Sequence, residues 1–326
     1  LHNEALWGSH PYGYSIIENH TYATTGAKTV TVTVMDGDGG TTTSDPITVQ
    51  VVGGADYAVT TTSTQVTVTD SSGNGDTLTV SAPSGGQIRF AAPNRYFSVN
   101  GGPLITGSSG NLSLAGITQV TINPAGGDDI VTFNAMANLP GITINDGAGN
   151  DQVWLNSILS FASGSSLQAN ADRIAVGDGV SITTSGLGVV RLAADTLGIF
   201  PTSTITSAQQ VELQPLTADR EILLGIELPD RLCLMDAELD AINTPKLIVG
   251  SATAGPINVT GAISPANAPS LVLQTAGSVT SASGSNLVTP YLSLNAGNGI
   301  GTPPQPLLTQ VPRISAFTET GRISIS

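Results

Sequence analysis

The chain has 326 residues and a formal net charge of −14, with ten Lys and Arg against 24 Asp and Glu. That balance argues against nucleic acid and against an anionic membrane surface, because binding to phosphates rests on Lys and Arg neutralising them. Charged residues are scarce at 10%, and Thr, Ser, Gly, Val, Ile and Leu take their place, a mix suited to half-buried strands joined by tight turns.

Residues 1–52 form the first predicted module. Thr29-Val30-Thr31-Val32-Thr33-Val34 alternates with period two, and Ile47-Thr48-Val49-Gln50-Val51-Val52 does so again. Between them lies Asp36-Gly37-Asp38-Gly39-Gly40, so the pair reads as a hairpin at the edge of a β-sandwich. His20, Tyr22, Gly26, Val30, Val32 and Val34 follow the pattern H-x-Y-x-x-x-G-x-x-x-V-x-V-x-V. The stretch resembles the C-terminal half of a PKD domain, an immunoglobulin-like sandwich common in exported bacterial proteins. The resemblance implies a partial module with a spacer or recognition role.

Residues 53–326 read as short strands separated by Gly, Asn, Asp, Ser and Pro. The exception is Asp236–Ile242, which suits a single helical turn with Asp236 as its N-cap. Apolar-x-apolar triplets return at a near-constant interval. They begin at Leu271, Leu292 and Ile314, and upstream at Val190, Val211 and Leu232. Asp129-Ile130-Val131 and Asp151-Gln152-Val153 repeat at the same interval. A period in the low twenties without helices predicts the coils of a parallel β-helix, beginning near residue 60. No coil can bury its inward face alone, so stacking completes the core. Strands stacked at about 4.8 Å would make roughly ten coils a rod near 50 Å long. A tandem of β-sandwiches is the alternative, with a repeat near 90–100 residues.

The clearest repeats span 170–326. Val211, Leu213, Pro215, Thr217, Ala218, Arg220, Ile222, Leu224 and Gly225 are followed by Leu232, Leu234, Asp236, Ala237, Glu238, Leu239, Asp240 and Ile242. Gly250, Gly255, Ile257 and Val259 complete the pattern. This region resembles the repeats of giant bacterial surface proteins related to filamentous haemagglutinin and autotransporters. The resemblance implies a right-handed parallel β-helix on an exported, outer membrane-associated fibrous protein, often linked to adhesion. Host or matrix glycans and proteins would then be its partners.

The strongest local motif is Asp146-Gly147-Ala148-Gly149-Asn150-Asp151-Gln152-Val153-Trp154, which follows the calcium-binding nonapeptide G-G-x-G-x-D-x-U-x except at its first Gly. Gly127-Asp128-Asp129-Ile130-Val131 is a degraded copy one coil earlier. Asp129, Asp146, Asn150 and Asp151 are therefore the candidate Ca²⁺ ligands, set against the simpler reading that Gly-Asn-Asp makes a tight turn. Ca²⁺ is the only cofactor the sequence suggests.

The run Asp36–Gly39 is similar to an EF-hand loop but lacks the closing Glu and the flanking helices, so a turn is expected. The carboxylate groups Asp128/Asp129 and Asp236/Glu238/Asp240, with Arg220/Glu221, leave open a polysaccharide-active enzyme on the same scaffold. Capping and solvation are the simpler account, and no catalytic residue is assigned. His2, His10 and His20 have no metal-ligand spacing. Cys233, the single cysteine, excludes an intrachain disulfide. No window approaches the ~20 apolar residues of a membrane helix. The first residue is not Met and no signal peptide follows it, so the chain reads as an excerpt of a longer one. A non-enzymatic extracellular scaffold or adhesin segment is the expected function, with a calcium-stabilised passenger as a third reading.

Overall fold

The protein was analysed as a computed structural model, which describes residues 26–51, 53–229 and 231–326. It divides into two compact units, 1–54 and 55–326.

In the first unit, Gly26–Val30 pairs antiparallel with Ile47–Val51, and Thr33–Met35 with Thr41–Thr43. The period-two runs thus form two short ladders around one turn. Asp36 closes that turn, its Oδ1 accepting from Asp38 N (3.1 Å) and Gly40 N (2.6 Å). This is an Asx-type turn. His20 and Tyr22 of the sandwich motif lie outside the described residues, as do His2 and His10.

Among its described residues the second unit has strands, turns and one helix, Asp236–Asp240, and is built as a parallel β-solenoid. Its principal ladder stacks Gln65–Asp70, Gln119–Asn123, Gly141–Ile144, Leu167–Val176, Val190–Ile199, Val211–Gln214, Leu247–Gly250, Ser270–Thr275, Tyr291–Ala296 and Arg313–Thr318. The register lines up one inward column as Val66, Val120, Ile142, Leu167, Val190, Val211, Leu247, Leu271 and Leu292, all buried, with Ile314 in register but exposed at its end. Two residues on, a second column runs Val68, Ile122, Ile144, Ala169, Leu192, Leu213, Val249, Leu273, Leu294 and Ala316. From Val68 to Leu294 every member of this second column is buried. Period two along each strand and the low-twenties interval between strands therefore act together: the first selects the face, the second stacks it.

Shorter strands complete each coil. Met136–Leu139, Leu159–Phe161, Ser181–Thr183, Thr204–Thr206 and Ile242–Asn243 form one parallel sheet. Leu232–Leu234, Ile222–Leu224, Ile257–Val259, Ser278–Ser281 and Gly299–Ile300 form another. Ala262–Ile263, Asn286–Val288 and Thr309–Gln310 form a third.

Three details depart from the sequence reading. Leu232 does not continue the column of Val190 and Val211; that place belongs to Leu247. The coil from Val211 is lengthened by a fold-back, in which Leu232–Leu234 pairs in parallel with Ile222–Leu224. The chance spacing of an apolar triplet inside this insertion mimicked the period. The helical turn is present at Asp236–Asp240, but its N-cap is Met235 and not Asp236. Finally, the start of the unit is not a run of plain coils. Tyr57–Thr61 pairs antiparallel with Gln65–Asp70, Thr77–Ser81 with Gln87–Val99, and Gln87–Val99 with Leu104–Ser108. Only Gln65–Asp70 and Thr77–Ser81 face the next level in parallel, against Gln119–Asn123 and Ile130–Phe133.

Candidate functional site

The chemistry-bearing side chains gather at the corner between two strands of each early coil. Asp129 is the last residue before the strand Ile130–Phe133, and the paired strands place Asp76, Asp129, Asp151, Asp172 and Asp195 at equivalent positions of successive levels. From Asp129 onward, each of these carboxylates reaches a backbone N–H of the neighbouring level. Asp129 Oδ1 accepts from Asp76 N (2.8 Å), Asp151 Oδ1 from Asp129 N (3.0 Å) and Asp172 Oδ2 from Asp151 N (2.8 Å). Asp195 reaches forward, with Oδ1 accepting from Thr217 N (2.9 Å). Ladder strands break at this corner, and the aspartates satisfy amides that the break would orphan.

A second column stands at the other side of the corner. Asn145 Nδ2 donates to Asn123 Oδ1 (2.7 Å), Asn123 Nδ2 to Thr69 Oγ1 (3.2 Å) and Asn170 Nδ2 to the carbonyl of Ile144 (3.2 Å). Between the columns the turns touch backbone to backbone. Gly149 has φ +142°, and a Cβ there would sit 2.0 Å from the Gly127 carbonyl oxygen. Only glycine allows that approach.

The four residues singled out in the sequence separate here. Asp129 and Asp151 are adjacent, as their spacing implied, and both are buried. The remaining oxygen of Asp151 accepts from Gly147 N (2.8 Å), so both of its oxygens hold backbone amides. Asn150 is exposed, and its N–H donates to Asp128 Oδ1 (2.9 Å). Asp146 lies on the exposed side of the same turn. Among the described residues, the three acidic side chains close enough to share one ion are Asp70, Asp76 and Asp129. Only Asp129 is common to both sets. Asp70, Asp76, Asp172 and Asp195 were missed, although Asp129, Asp151, Asp172 and Asp195 recur at the coil interval and could have been found by it.

Crowding of like charges shows in the acidities. Burial, followed by the neighbouring Asp70, Asp151 and Asp76 carboxylates, pushes Asp129 up to about 7, against a lowering hydrogen bond from Asp76 N. Partial burial of its carboxyl together with Asp172, Asp151 and Asp195 pushes Asp146 up to about 6. A carboxyl whose folded pKa exceeds its unfolded value of ~3.9 favours the fold when protonated. Its contribution is complete below about pH 4 and is lost as the pH rises through the folded value. In metal-free buffer, the thermal midpoint should therefore fall between pH 4 and pH 7, and Asp129→Asn should flatten that fall. A midpoint that climbs over the same window would contradict this assignment.

The other carboxylate groups have structural employment. Glu238 Oε1 accepts from Ile199 N and Oε2 from Met235 N, both at 2.8 Å. Asp236 accepts from Ser264 N (2.5 Å) and Asp240 from Ala266 N (2.7 Å). Arg220 reaches Asp195 (3.7 Å), and Arg231 pairs with Glu221. Cys233 is buried, its Sγ within 3.3 Å of the Leu228 carbonyl, and burial raises its thiol above the ordinary value. Among the described residues, no helix is long and apolar enough to cross a membrane.

Comparison with protein-family models, with curated proteins and with solved structures finds no match for this chain.

Proposed function

We propose that this chain is a non-enzymatic structural or adhesive segment of a large secreted or surface-exposed bacterial repeat protein. The observation that carries the reading is the use made of its acidic side chains. In the corner ladder and around the fold-back helix, carboxylates hold backbone amides of neighbouring levels. Such a scaffold works mechanically: a stack of coils holds recognition modules at a distance, and affinity comes from many weak contacts. The right-handed sense of the coil, the immunoglobulin-like character of residues 1–52 and the outer-membrane setting belong to this reading. They rest on the resemblances to PKD domains and to filamentous haemagglutinin-like repeats.

The competing reading, a polysaccharide-active enzyme, is separated by a direct assay. The purified chain should release no product from polygalacturonate or other acidic and neutral polysaccharides, while beads coated with it should bind immobilised glycans or matrix proteins. Product release that disappears in Asp76→Asn or Asp129→Asn would replace the scaffold with an enzyme.

A further inference from the structure

Where the antiparallel strands meet the first parallel level, three carboxylates converge. Asp70 ends the strand Gln65–Asp70, Asp76 precedes Thr77–Ser81, and Asp129 precedes Ile130–Phe133. One carboxylate oxygen from each lies within 4.8 Å of one from each of the others. Asp70 is 2% exposed and Asp129 4%, and the side chain of Asp76 is 5% exposed.

Each of these residues has one oxygen firmly engaged by the protein. Asp70 Oδ1 accepts from Ser72 N (2.7 Å), Asp129 Oδ1 from Asp76 N (2.8 Å) and Asp76 Oδ1 from Arg95 Nε (2.6 Å). The second oxygens of Asp70 and Asp129 are buried without a hydrogen-bond partner, and that of Asp76 has only a long contact from Ser72 Oγ (3.4 Å). All three residues line one internal space of about 10 Å³, shared with Tyr57 and Asn123. Such a space holds about one water-sized particle.

Charge decides what that particle is. Three carboxylates face one guanidinium, Arg95, which is also shared with Asp56 at 3.8 Å. With all three ionised, two negative charges are left over in a place nearly closed to water, and unpaired buried charge is costly unless a cation or a proton meets it. We propose that Asp70, Asp76 and Asp129 form a buried site for one Ca²⁺ ion, which pins the antiparallel N-terminal strands to the first parallel level of the solenoid. The ligands are hard oxygens, and two ligands of one Ca²⁺ bound at about 2.4 Å stand no more than about 5 Å apart. Three carboxylates supply the six oxygens that Ca²⁺ takes when each binds through both of its oxygens, a geometry Ca²⁺ tolerates, whereas Mg²⁺ demands a stricter octahedron at about 2.1 Å and keeps several of its waters. The site unites residues 53 positions apart in the chain, Asp76 and Asp129, so its occupation opposes peeling of the N-terminal strands.

The test is calorimetric titration of CaCl₂ into the EDTA-stripped, dialysed chain, with thermal unfolding followed in parallel. The expected result is one Ca²⁺ per chain and a midpoint raised at saturation. Asp70→Asn and Asp129→Asn, which keep the side-chain shape, should each weaken binding at least about tenfold by removing a ligand charge, while Asp146→Asn leaves it unchanged. Tb³⁺ gives a second readout: Tyr57 should sensitise its emission, and Tyr57→Phe should abolish the sensitisation without abolishing Ca²⁺ uptake. A stripped protein indifferent to Ca²⁺, tighter binding of Mg²⁺ than of Ca²⁺, or binding lost in Asp146→Asn and kept in Asp70→Asn would overturn the site. The site rests on no part of the scaffold reading, and none of these outcomes reports on enzymatic turnover, so the two fail independently.

Discussion

Leu213→Ala should lower the stability of the solenoid by about 2–5 kcal/mol, the range for emptying a closed apolar site. Leu213 is fully buried, paired with Leu192 on one side and Val249 on the other. The cavity cannot be filled from along the column, because each neighbour is held in register by its own backbone ladder. For a unit of this size the midpoint should drop by roughly 4–10 °C. The mutation also acts on cooperativity. In a stack whose levels touch only their neighbours, stability is a sum of level and interface contributions. Weakening a central interface should therefore separate unfolding into two steps, with hydrogen exchange accelerating first in Val211–Gln214 and its partners. A change below about 1 kcal/mol, or one confined to a single sharp transition, would show that the column is not packed as described.

The second large effect is expected at Glu238. It is 8% exposed and joins the fold-back helix to the end of the long strand Val190–Ile199. Both of its oxygens accept backbone N–H groups, so Glu238→Ala leaves the buried Ile199 N–H unsatisfied, at about 1–3 kcal/mol, and a half-buried one at Met235 besides. Glu238→Gln is nearly isosteric yet still harmful, because its amide NH₂ must face one of those two donors. The expected order of stability is wild type, then Gln, then Ala, read from chemical denaturation. Equal stability of Gln and wild type would mean that the carboxylate already carries a proton in the folded protein. Burial does raise its pKa above the ordinary carboxylate value, while the bonds from Ile199 N and Met235 N oppose that rise.

Much of the solenoid is legible in the residues that repeat, and the reasons for the misses are specific. Val190, Val211, Leu271, Leu292 and Ile314 fall in one column because a closed coil must return its inward residue to the same place at each level. Leu232 broke the rule because insertions reset the count. The step from Val211 to Leu247 is long since the chain doubles back to supply Leu232–Leu234 before going on. The step from Val66 to Val120 is longer still, since it contains the antiparallel strands Gln87–Val99 and Leu104–Ser108. Alternation alone cannot tell an antiparallel strand from a coil strand, as both bury every second residue.

The acidic corner was half visible. The nonapeptide-like turn draws attention to Asp146, Asn150 and Asp151, and its copy one coil earlier to Asp129; of these, Asp129 and Asp151 are buried while Asp146 and Asn150 are exposed. Asp70 could not be found from sequence. It reaches the cluster because Gln65–Asp70 forms a level of the ladder with Gln119–Asn123, a pairing across more than fifty residues of chain. Stacking also hides in plain sight the Asn123, Asn145 and Asn170 column, which reads as scattered turn residues until the coils are superposed.

The most direct test is a cysteine-pair scan in a Cys233→Ala background. Thr121 and Thr143 are paired on adjacent levels, as are Asn258 and Thr280, whereas Thr121 and Gln168 lie two levels apart. Adjacent parallel strands bring Cα atoms to about 4.8 Å, within disulfide reach, and two levels double that distance. After mild oxidation, the 121/143 and 258/280 pairs should close within one chain while 121/168 stays reduced. Closure of 121/168, or failure of both adjacent pairs in folded protein, would contradict the stacked solenoid.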